Sequence, residues 1–99
     1  MRLTSVDVSA IKQAVGEVLG DEAEVRLFGS RVDDSAKGGD IDLLVTVDHV
    51  VENPALAMVR VEGRIIRQLG ERKVDIVLKA PNLATSPIHQ VAQEKGVLL

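Results

Sequence analysis

Aromatic residues are almost missing from this chain: Phe28 stands alone, with no Trp or Tyr among 99 residues. A core without large rings has to be filled by Val, Leu, Ile and Ala. Bases of a single-stranded nucleic acid stack on aromatic side chains, so their scarcity counts against that kind of binding. Cysteine is absent, which excludes a disulfide framework, a thiolate zinc site and a cysteine nucleophile. Positive charge is not in excess either. The net charge is −3 and the pI about 5.3, so no bulk field draws the chain to nucleic acid or to an anionic membrane. No apolar run approaches the ~18 residues of a membrane span. The first seven residues, Met1 to Asp7, lack the apolar core of a signal peptide. A soluble, cytoplasmic protein is the expectation.

What is present is ordinary for a globular chain, with 45% hydrophobic and 27% charged residues. The length, without low-complexity tracts, predicts a single domain over residues 1–99. A chain of this size buries somewhat over ~60% of its unfolded surface, enough for one core with little margin.

The apolar positions Val8, Ile11, Val15, Val18 and Leu19 recur at helical spacing, with Asp7 or Ser9 as cap and Gly20-Asp21 as stop. Glu24 to Phe28 alternates and predicts a strand that ends at Gly29-Ser30. Arg31 to Gly39 is a polar loop. Asp40 to Val47 predicts a second strand, with Ile41, Leu43 and Val45 on one face and Asp40, Asp42 and Leu44 on the other. Asn53-Pro54 opens a long helix. Leu56, Val59, Ile66 and Leu69 are its core-facing stripe, widened by Met58, Val61 and Ile65, and Gly70 is its stop. Lys73 to Leu78 is a third strand. A last helix is expected from Pro87-Ile88 towards Lys95-Gly96, leaving Val97-Leu98-Leu99 as a tail. This order predicts an α+β fold, a small mixed β-sheet with helices packed on one face.

The strongest chemical signal is Gly29-Ser30, nine intervening residues, then Asp40-Ile41-Asp42-Leu43, with a further acid, Asp75, inside Val74-Asp75-Ile76-Val77. Strands deplete Asp, and charged residues are almost never buried unpaired. Three carboxylates on short strands that read as central therefore oppose propensity, and such violations concentrate at functional sites. Residues two apart on a strand lie roughly 6.5 Å from each other on one face, and a neighbouring strand lies ~4.8 Å across. Asp75 can thus join Asp40 and Asp42. Their mutual repulsion is relieved by divalent cations, and an all-carboxylate site suits magnesium or manganese. Two such ions ~3.5–4 Å apart stabilise both oxygens of an in-line displacement at phosphorus. Gly29 allows close backbone approach to a ligand, Ser30 at the start of a helical turn cradles phosphate, and Arg31 is a further phosphate donor.

Phe28-Gly29-Ser30-Arg31 together with Gly39-Asp40-Ile41-Asp42-Leu43-Leu44-Val45 resembles the signature of the DNA polymerase beta nucleotidyltransferase superfamily. Asp75 within Lys73-Val74-Asp75-Ile76-Val77 matches its third metal-site carboxylate. The length is similar to that of its minimal branch, the MNT domains, which are often encoded beside a helical HEPN protein. Gly39 stands where the superfamily more often has Ser. The resemblance implies that Asp40 and Asp42 hold two Mg2+ ions (or Mn2+), and that Asp75 holds one and helps activate the acceptor hydroxyl. It implies that Gly29 and Ser30 bind the β- and γ-phosphates of ATP or another NTP. The implied reaction is transfer of an NMP, AMP first among them, with release of pyrophosphate. In the MNT branch the implied role is antitoxin to a HEPN toxin, by AMP transfer to that partner protein or by direct, non-catalytic binding. Larger members carry a further domain for base and acceptor, so a partner or a second copy is expected to supply those contacts.

Other residues have plainer explanations. Arg31 is matched equally well by a surface salt bridge, and Asp75 alone by an edge-strand charge that discourages aggregation. Asp33, Asp34 and Lys37 belong to a polar loop, Asp48-His49 to a turn, and His89 to a helix surface. Arg60, Glu62, Arg64 and Arg67 are a solvated helix face, with a partner surface near Met58 and the C-terminal apolar residues as the alternative.

Overall fold

A computed structural model describes residues 3–28, 41–70, 73–84 and 94–99. The elements run α1 (Ser5–Leu19), β1 (Glu24–Phe28), β2 (Ile41–Thr46), α2 (Pro54–Leu69), β3 (Val74–Lys79) and β4 (Val97–Leu98).

Thr4, rather than Asp7 or Ser9, caps α1. The Asp7 amide donates to Thr4 Oγ1 at 3.1 Å, and the Thr4 amide donates to the Asp7 carboxylate at 3.1 Å. Asp7 is thus the far partner of a capping box, which starts the helix before the first periodic apolar residue. Ala10, Ile11, Ala14, Val15 and Leu19 are its buried stripe. In α2, Asn53 caps by accepting from the Leu56 amide at 3.2 Å, and Pro54 takes the first turn. Its buried residues are Ala57, Val61 and Ile65, spaced four apart, with Met58, Ile66 and Leu69 partly covered. Leu56 and Val59, expected in that stripe, are 43% and 64% exposed. The helix carries more apolar residues than one face can bury, and the small Ala57 lies against the core in their place. Across the two helices, Arg64 Nε donates to Glu17 Oε2 at 3.0 Å.

The strands form one sheet in the order β3-β2-β1-β4. β2 and β3 are parallel, while β1 is antiparallel to both β2 and β4. A parallel pair cannot be closed by a tight turn, and α2 is the crossover between β2 and β3. Val25, Leu27, Ile41, Leu43, Val45, Val74 and Leu78 join the residues of α1 and α2 in one core, so both helices cover the same face. This is the expected α+β arrangement of a small mixed sheet with helices on one side. Among the described residues β3 is an edge strand, not a central one.

The C-terminal residues depart from expectation. Val97 and Leu98 are not a free tail but pair with Leu27 and Arg26 of β1, and the Leu99 amide donates to the Val25 carbonyl at 2.9 Å. A two-residue strand shows no period, so only its long-range partner reveals it. Glu94 and Lys95 are helical, whereas Pro87, Ile88 and His89 lie outside the described residues. Among the described residues no helix is long and apolar enough to cross a membrane.

Candidate active site

Asp42 and Asp75 each follow the first residue of a strand, in β2 and β3 respectively. The parallel register sets them directly opposite one another, and the antiparallel register sets Phe28, the last residue of β1, opposite Asp42 on its other side. Strand side chains alternate between faces. Ile41, Leu43 and Val45 point under the helices and have no exposed surface. Phe28, Asp42 and Asp75 therefore make a row across three strands on the face away from the helices, with the two acids on strands ~4.8 Å apart.

The register that produces this row is dictated by the apolar residues beside each acid. Ile41 and Leu43 flank Asp42, and Val74 and Ile76 flank Asp75. A slip of one position would turn both carboxylates into the core and the aliphatic residues out of it. Asp42 is half-buried and Asp75 exposed. Like charges directly opposite on neighbouring strands are destabilising, and a basic group stands near the pair. Lys73 Nζ lies 3.9 Å from Asp75 Oδ2. Lys73 itself is held at the start of β3, its carbonyl accepting from the Ile41 amide at 2.9 Å.

Two aspartates at one level offer a hard, all-oxygen donor set, which fits magnesium or manganese rather than zinc. Magnesium commonly takes one or two carboxylates and completes its shell with water and substrate phosphates. No group of three metal-binding side chains occurs among the described residues. Asp40, the third acid expected here, lies outside them. So do Gly29, Ser30 and Arg31, the expected phosphate-binding residues, which follow Phe28 in sequence.

Other features lie elsewhere. His49 comes after β2 ends, at the opposite end from Asp42, with its Nδ1 3.7 Å from Asp48 Oδ1. A cavity of about 490 Å3 runs between α1, β1 and the C-terminus, bordered by Lys12, Gly16, Glu24 and Leu98. Another of about 290 Å3 is bordered by Leu19, Val51, Leu56 and Arg60. Neither includes Asp42 or Asp75.

Two contacts were not anticipated from sequence. In sequence Lys73 is only the start of a strand, although its position two before Asp75 is the spacing of same-face neighbours. Asn82 clamps Val51 from 31 residues away, its Oδ1 accepting from the Val51 amide at 3.1 Å and its Nδ2 donating to the Val51 carbonyl at 2.9 Å. No local pattern signals that pairing.

A family model for the nucleotidyltransferase domain matches residues 8–98, from the middle of the first helix's opening turns to the last strand. No curated protein matches the chain significantly.

Proposed function

The chain belongs to the nucleotidyltransferase domain family, and from that premise we propose a magnesium-dependent enzyme that moves an NMP, AMP first, from an NTP to a hydroxyl of a partner protein. The observation that carries the proposal is the opposition of Asp42 and Asp75 across β2 and β3. An edge-strand charge needs no second acid beside it, and the pairing costs stability. The cost has a use if the two carboxylates share divalent cations.

Asp40, Asp42 and Asp75 would hold the two ions, which supply charge neutralisation for an in-line displacement at the α-phosphorus. The acceptor oxygen forms a bond to that phosphorus while the bond to the bridging oxygen of the β-phosphate breaks, and pyrophosphate leaves. Asp75, exposed on the edge strand, is open to an approaching acceptor and takes part in removing its proton. Gly29, Ser30 and Arg31 would bind the departing phosphates through backbone N–H groups and side chain. The partner in this proposal is a HEPN-type toxin, with this chain its antitoxin.

A second reading is a binding module that silences the partner by covering it. Leu56, Val59 and Leu98 are 43%, 64% and 56% exposed, the kind of apolar surface that a partner covers. Intact-mass spectrometry with partner, ATP and Mg2+ separates the two. The enzyme adds an AMP to the partner, and Asp42→Asn lowers that transfer by about 100-fold or more, the range set by loss of a transition-state charge stabiliser. A mutant that neutralises the partner as fully as the wild type would leave only the binding module.

A further inference from the structure

Lys73 is not part of the Gly-Ser to Asp-x-Asp constellation, yet its ammonium lies within 4 Å of Asp75. Both side chains are more than half exposed, at 67% and 53%. Lys73 immediately precedes β3 and Asp75 is its second residue, so the two are spaced as same-face neighbours when the alternation is carried one residue back. Asp75 there faces Asp42 across the ladder. The register brings two carboxylates to one level in this corner of the sheet, and the Lys73 ammonium is positioned to offset the charge of Asp75.

We propose that Lys73 is a resident counter-charge for Asp75 that a divalent cation must displace, so that it sets how tightly the site takes metal. The inference rests on Asp75 being a metal ligand, as proposed above. A carboxylate oxygen engaged by an ammonium has to give up that contact when it ligates an ion. The ammonium left beside the filled site then repels the ion. Both effects act in one direction: Lys73 weakens metal binding and stabilises the metal-free sheet.

The test is an equilibrium titration of Mn2+ into the intact protein, without nucleotide, followed by electron paramagnetic resonance of the free ion. Lys73→Met keeps the aliphatic stem and removes the charge. It is expected to tighten Mn2+ binding by about 1.5- to 5-fold, the span of an exposed ion pair, and to lower the melting temperature of the metal-free protein slightly. Lys73→Arg is expected to restore wild-type affinity, which a merely structural role for the lysine stem would not predict. In an Asp75→Asn background, where only the repulsion between ammonium and ion is left, Lys73→Met should tighten Mn2+ binding by less than it does in the wild-type background. Unchanged or weaker binding by Lys73→Met overturns the inference while leaving Asp75 as a ligand. Equal Mn2+ binding by wild type and Asp75→Asn overturns both, because Asp75 would then not be a ligand at all.

Discussion

Asp75 occupies a position that favours an uncharged residue on two counts, since strands deplete Asp and Asp42 lies directly opposite. Replacing it by Asn removes one of the opposed charges while keeping the shape of the side chain. It also removes the 3.9 Å contact with Lys73, an exposed pair worth ~0–1 kcal/mol. The two effects have opposite signs and similar size. Asp75→Asn is therefore expected to leave stability in urea within about 1 kcal/mol of wild type, while nucleotidyl transfer falls by about 100-fold or more. Parallel unfolding and transfer assays would show the split. A large loss of stability would instead mark Asp75 as structural.

Within the helices, glycine separates two kinds of position. Gly63 sits in the exposed middle of α2, and a Cβ added there meets nothing within 4 Å. Gly63→Ala is expected to stabilise the fold by about 0.5–1 kcal/mol through helix propensity and reduced unfolded-state entropy. Gly70 has equally open surroundings, but its φ of 84° ends the helix in a conformation that a side chain disfavours. Gly70→Ala is expected to destabilise by about 1–2 kcal/mol. Thermal unfolding of the two variants should thus shift in opposite directions, and a shared direction would contradict the backbone explanation. The helices were legible in sequence to this depth: both stops, Gly20 and Gly70, and the Asn53-Pro54 start stand where capping chemistry puts them. The start of α1 was displaced because a Thr-x-x-Asp box contains two residues able to cap, and only the hydrogen bonds of Thr4 and Asp7 decide which one does.

For the molecule as a whole, a single aliphatic core between two helices and one face of a four-stranded sheet has no disulfide behind it. Ile65 is fully buried at its centre. Ile65→Ala is expected to cost about 2–5 kcal/mol, a large share of the ~5–15 kcal/mol typical of a domain. Chemical denaturation would read this as a lower midpoint with an unchanged slope. Sequence alone was enough for α1 and α2, the three longer strands, the inward set Ile41, Leu43 and Val45, and the presence of acids on the opposite side. Those follow from capping and from periods of 3.6 and 2, which are local and act within a few residues. Only the long-range packing set Asp75 directly opposite Asp42, left β3 at an edge, and added Val97 and Leu98 to β1 as a strand. It also chose Ala57 over Leu56 and Val59 for the core, and paired Asn82 with Val51. Each of these joins residues far apart in the chain or selects among several apolar candidates. Their energies depend on which surfaces meet, and no local pattern carries that information.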